Sequence, residues 1–168
     1  MHDLKELEGP ADHPPPPELA AHLGTLLMAF SYAETATHFL IWRILGITLA
    51  DGRSLTARLD TKARLRLLDA LCERHIASSK RKEQLLAATK ALTLASEYRN
   101  MAAHGDWRTK ASGQLYCFSI QYEPPDGDYG SKPVVLTELL SAATDSHEAI
   151  RNLWDIDAWL KETPRGAW

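Results

Sequence analysis

The chain has 168 residues, 45% of them hydrophobic and 24% charged, with a formal net charge of −3. That length suits one domain with its own apolar interior, since domains commonly run to roughly 100–200 residues. No apolar run reaches the ~18–20 residues that a membrane span needs. The start MHDLKELEG lacks the basic and apolar stretches of a secretory signal, so the expected setting is the cytoplasm and no membrane partner is expected.

The overall acidic balance argues against a protein that coats nucleic acid, but the charge is unevenly spread. Residues 1–52 carry −5, residues 53–110 carry +7 and residues 111–168 carry −5. A basic central block between acidic ones suits an anionic partner, or helices that neutralise one another on packing. Cys72 and Cys117 have no metal-like spacing and read as small buried hydrophobes in a reducing compartment.

Residues 1–17 end in a proline run, Pro14 to Pro17, and read as a mobile or extended arm ahead of a domain over 18–162; 163–168 form a short tail. Pro17 or Glu18 opens a first helix of about 28 residues, where Leu19, Leu23, Leu26, Phe30, Ile41 and Ile44 recur at helical steps. Gly46 and the Asp51-Gly52 pair stop it. Glu34 breaks its apolar stripe.

A second helix is expected from about Thr56 to Ile76, on Leu65, Leu68 and Cys72. A third runs from about Lys80 to Ala103, its inner line Leu85, Ala88, Leu92 and Ala95 interrupted by Arg99. Lys80-Arg81-Lys82 stands at the positive end of that helix's dipole and reads as a frayed, solvated end. Leu115 to Tyr122 and Pro133 to Leu136, joined by a turn at Pro124 to Asp128, read as a β-hairpin. Thr137 is the expected N-cap of a last helix carrying Leu140, Ile150, Leu153, Ile156 and Leu160. The expected fold is all-α: an antiparallel four-helix up-down bundle with a small β-hairpin inserted before the last helix.

The chemistry concentrates in Glu97-Tyr98-Arg99-Asn100-Met101-Ala102-Ala103-His104-Gly105-Asp106-Trp107. An always-charged arginine suits a phosphate group, and a histidine that gains and loses a proton near neutral pH suits general acid–base work. Asn100 and His104, four apart, share a helical face, so the amide can orient the imidazole. Arg99 and His104, five apart, are rotated by about 140° and do not face one target from a single helix.

Arginine, an adjacent asparagine and a histidine after four intervening residues, at the end of the third helix of a small bundle, resemble the signature of the HEPN superfamily. The Ala103-His104-Gly105-x-Trp107 ending is also similar to bacterial members. The resemblance covers most of 18–162 as helix order and about ten residues as motif. It implies Arg99, Asn100 and His104 as catalytic residues of a metal-independent endoribonuclease, a toxin or phage-defence effector that leaves 2′,3′-cyclic phosphate ends. It also implies a homodimer bringing two such motifs into one cleft, RNA as substrate, and an antitoxin or other protein as partner. Glu34 and Tyr98 are the supporting residues. The alternative is a non-catalytic HEPN-like dimeric module that binds RNA or a partner protein.

No HExxH pattern, P-loop or dinucleotide fingerprint occurs in the sequence, so neither cofactor nor metal is expected. A plainer reading stands beside each choice. Glu34 and Arg99, charges on apolar lines, are expected to meet as an ion pair that sets helix register. His104 reads equally as a helix C-terminal cap. Trp107 reads as a core plug in preference to a base-stacking platform. His38, His75 and His147 read as isolated surface or packing residues.

Overall fold

Helix α1 begins at Pro17, whose ring suits a first helical position where no backbone donor is needed, and runs to Leu45. In the computed structural model, which describes residues 17–109, 115–118, 131–165 and 167–168, it is followed by α2 (Leu49–Thr56), α3 (Thr61–His75) and α4 (Ser79–His104). Strands β1 (Asp106–Thr109), β2 (Leu115–Phe118) and β3 (Ser131–Pro133) then precede α5 (Leu136–Glu162). The chain is thus mostly helical, as its periodicity requires. Apart from Pro17, the expected Pro-rich arm lies outside the described residues, as does the expected turn at Pro124 to Asp128.

α1 is the axis of the bundle. Its buried line of Leu19, Leu23, Leu26, Phe30, Ala33, Leu40, Ile41 and Ile44 packs against α3, α4 and α5. Leu68 of α3, Leu85 and Leu92 of α4, and Leu139, Leu153 and Ile156 of α5 complete the same core, each essentially inaccessible to solvent. No helix among the described residues is long and apolar enough to cross a membrane.

Side-chain pairs give the helix directions. Phe39 meets Trp154 and Arg43 meets Asp157, so α1 and α5 run the same way. Tyr98 meets Glu138, Gln84 meets Asn152 and Arg81 covers Trp159, so α4 runs against α5. Asp69 meets Thr89 and Glu73 meets Lys82, so α3 also runs against α4. α1 and α3 are therefore parallel, which differs from a plain four-helix up-down order. The short α2 supplies the return leg.

That leg is where the sequence reading departs most from the fold. Asp51-Gly52, expected to end a helix, lies inside α2, and the helix expected from Thr56 to Ile76 is two helices. Thr48 caps α2 by accepting from the Asp51 N–H at 3.2 Å, and its hydroxyl donates to the Asp51 carboxylate at 2.6 Å. Gly52 is buried beneath the Trp42 indole, where an added Cβ would stand 2.4 Å from the ring. Asp60 then caps α3 by accepting from the Ala63 N–H at 2.7 Å.

Three further expectations change. Thr137 is not the N-cap of α5: Val135 holds that position without a side-chain hydrogen bond, and Thr137 lies in the first turn. Lys80-Arg81-Lys82 is not frayed. Ser78 caps the helix, Arg81 bonds Gln84 at 2.9 Å and covers Trp159, and Lys82 pairs with Glu73 at 2.8 Å. The β segment is a three-stranded antiparallel sheet in the order β1-β2-β3, whose first strand follows directly on Gly105. Its last strand ends at Pro133, short of the expected Leu136.

Leu153 is fully buried in the α5 face that meets α1 and α4. We predict that Leu153→Ala costs about 2–5 kcal/mol, measured as a lower urea midpoint with an unchanged denaturant slope.

Candidate functional site

The Arg99–His104 segment forms the last turns of α4. The Gly105 N–H bonds back to the Met101 carbonyl at 2.8 Å, and β1 leads the chain away. An added Cβ on Gly105 would meet the Cys117 sulfur at 2.1 Å, so glycine lets the sheet close against the helix end. His104 and Asn100 are exposed, Arg99 and Tyr98 half-buried.

Arg99 points inward from α4 to α1. Its guanidinium lies 5.8 Å from the centroid of the Phe30 ring and 3.9 Å from Glu34 Oε2, and its Nη1 donates to Asn100 Oδ1 at 3.0 Å. The expected Glu34–Arg99 pair is therefore present at the outer limit of an ion pair. Asn100 turns its oxygen to Arg99; no bond from Asn100 to His104 occurs among the described residues. Tyr98 is directed elsewhere, its hydroxyl donating to Glu138 of α5 at 3.1 Å, and burial with that carboxylate raises its pKa.

The closer partners of Glu34 come from α3. Its Oε1 accepts from Thr61 at 2.7 Å and from Arg64 Nη2 at 2.6 Å, while Arg64 Nη1 reaches His38 Nε2 at 2.7 Å. His38 is thus not isolated: one turn beyond Glu34 on α1, it also stacks on Trp42 at 5.7 Å with the rings 8° from parallel. One carboxylate consequently serves two guanidiniums, Arg64 from α3 and Arg99 from α4, the latter over the Phe30 ring. Burial, then the adjacent Arg64, lowers the His38 pKa, against a smaller opposite effect of Glu34.

Arg64, Thr61 and His38 are the functional candidates that the sequence reading passed over. The signal was available. Glu34 and His38 are four apart on one face, and Thr61 and Arg64 share a line with Leu68 and Cys72. Trp107 is partly buried against the core, its Nε1 enclosed and without a hydrogen-bond partner among the described residues. Cys72 and Cys117 are buried, their thiols pushed up to about 11, so neither is a poised nucleophile. Among the described residues no cluster of three or more His, Cys, Asp or Glu is placed to hold a metal ion.

The arrangement offers an exposed imidazole at a helix end and, on the inner side of that end, a guanidinium braced by a carboxylate, an amide and an aromatic face. Such an imidazole can exchange protons with a bound substrate, and such a cation can meet a phosphate through its outer edge. No protein-family model matches the chain, and no significant match is found among curated proteins or solved structures.

Glu34→Gln removes the charge that two guanidiniums share, and thermal unfolding should show a loss of about 1–3 kcal/mol. His38 titrates lower in the folded chain than its ordinary 6.5. Its neutral form stabilises the fold above that pH, and the contribution is lost as the pH falls through the folded value. Melting temperature should drop more steeply on acidification from about 7.5 to about 5.5 in the wild type than in His38→Gln.

Proposed function

We propose that the chain is a HEPN-like, metal-independent endoribonuclease acting as a homodimer, a toxin or defence effector of the cytoplasm. The observation that carries the reading is the pairing at one end of α4 of an exposed His104 with an Arg99 braced by Glu34, Asn100 and Phe30. Arg99 and His104 point to different sides of their helix, so the working site needs two chains. Two α4 ends meeting across a two-fold axis set His104 of each beside Arg99 of the other.

The reaction then needs only these groups. A neutral His104 takes the proton of a ribose 2′-hydroxyl, whose oxygen attacks the adjacent phosphorus. The bond from phosphorus to the 5′-oxygen breaks, and that oxygen leaves with a proton from the second histidine. The products are a 2′,3′-cyclic phosphate and a 5′-hydroxyl. Arg99 holds the charge that gathers on the non-bridging oxygens, and Glu34 keeps its guanidinium in place. Tyr98, committed to Glu138, stands at the periphery.

A second reading has a specific observation in its favour. Arg99 already has internal partners in Glu34, Asn100 and Phe30, as a cation that only tied helices together would. On that reading the chain is a non-catalytic dimeric module that binds RNA or a protein such as an antitoxin.

The two separate in one assay. A mixed RNA pool is incubated in chelator with wild type, His104→Ala and Arg99→Ala, each first checked for helical content. The ribonuclease reading expects cyclic-phosphate ends from the wild type and a loss of about 100-fold or more in each variant. Equal cleavage by all three, or none by pure wild type, selects the non-catalytic module.

A further inference from the structure

The opposite end of the bundle holds a cleft that the proposed chemistry does not use. It has a volume of about 420 Å³ and opens where α1 ends, between that helix end, the last turn of α5 and Trp168. Small-molecule sites commonly have volumes of about 300–1,000 Å³. The lining combines two indoles, Trp42 and Trp168, with the apolar Ile47 and three cationic side chains, Arg43, Lys161 and Arg165.

Among the described residues, one acidic side chain pairs with two of those cations. Asp157 is 2% exposed and accepts from Arg43 Nε and from Lys161 Nζ, the latter at 2.6 Å. A buried carboxylate needs one such partner to be neutral; here it has two, and Arg165 stands beside them. Counting side chains alone, the three cations set against Asp157 leave two positive charges in excess.

The donors are not all spent. Arg43 gives Asp157 its Nε, which leaves the planar Nη1–Nη2 edge for a second acceptor, and Lys161 is half exposed with two further N–H groups. Arg165 donates weakly to the last carbonyls of α1, at 3.3 and 3.5 Å, and lies 5.5 Å from the centroid of the Trp168 ring. It can do so because Gly46 has φ +65 and no side chain: an added Cβ would fall 1.5 Å from the Arg165 guanidinium.

The walls are of the opposite character. Both indole N–H groups are satisfied within the chain, Trp42 by Thr56 at 3.3 Å and Trp168 by the Thr163 carbonyl at 2.7 Å. Neither indole therefore offers the cleft a free N–H, and the half-buried Trp168 gives it more apolar surface than Trp42, which is 8% exposed. We propose that this cleft is a binding site for a small ligand with an oxyanion head, phosphate or carboxylate, on a flat apolar body. The head would lie between Arg43 and Lys161 and the body against Trp168.

Calorimetric titration of the full chain with phenyl phosphate, benzoate and inorganic phosphate tests it. Phenyl phosphate or benzoate should bind saturably at one site, and the tighter of the two identifies the head. Inorganic phosphate should bind about tenfold more weakly or worse, since it has no ring to place against the indoles. Lys161→Gln and Arg165→Gln change exposed side chains and should each weaken the better ligand by about tenfold. Trp168 fluorescence, isolated by comparison with Trp168→Phe, should respond to that ligand alone.

Failure to bind either aryl anion overturns the proposal, as does undiminished affinity in a folded Lys161→Gln, Arg165→Gln double variant. Inorganic phosphate binding as tightly as phenyl phosphate overturns the role of the ring. The outcome is independent of RNA cleavage, because none of these residues belongs to the Arg99–His104 site.

Discussion

The arrangement of this bundle depends on one carboxylate. Glu34 lies on the inner side of α1, where an apolar residue would otherwise stand, and draws Thr61 and Arg64 of α3 and Arg99 of α4 toward it. A half-buried charge turned toward other helices is rarely left alone, so the position of Glu34 limits where α3 can start and where the end of α4 can rest. The start of α3 in turn dictates that the chain come back along α1 after Gly46, and α2 is that return. A single ionic position thereby links the choice of helix direction to the placing of the candidate site.

The two ends of the molecule divide the work differently. At the α4 C-terminus a cation is braced internally and a histidine faces outward, with the sheet turning away just beyond Gly105. At the far end, cations gather around a carboxylate that is already neutralised, beside apolar walls. The basic block of the sequence does not map onto one face. Lys82 is consumed by Glu73 and Arg64 by Glu34, whereas Arg43, Lys161 and Arg165 come from the flanking acidic thirds. Charge counted along a chain is thus a poor guide to charge gathered in space.

What could be read in advance followed the strength of local pattern. The long apolar periods of α1, α4 and α5 placed those helices within a few residues, because burial of one face outweighs everything local over so many turns. α2 escaped detection because Asp51-Gly52 has the look of a turn, while a threonine cap and the plane of Trp42 above the glycine favour helix there. Of the site, Arg99 and Glu34 were legible as charges on apolar lines, and their contact was anticipated though it is looser than expected. The tighter pairing with Arg64 was not, since nothing in sequence spacing says which of two arginines on different helices will approach more closely. His38 has Glu34 and Trp42 four residues to either side, but its closest polar partner, Arg64, comes from another helix and cannot be read from spacing.

The parallel course of α1 and α5 bears on how the chain reaches this shape. The Arg43–Asp157 pair spans 114 residues of sequence, whereas α3 and α4 are joined by a short link. Closing a loop of that length costs entropy before any contact repays it, so the α3–α4 hairpin is the natural early structure and docking of α5 along α1 the late one. A ribosome making the chain from its first residue would release α1 long before α5 exists to cover it. Through that interval the flank of α1 that turns to α5, the side carrying Phe39, is uncovered and is the stretch most in need of a chaperone.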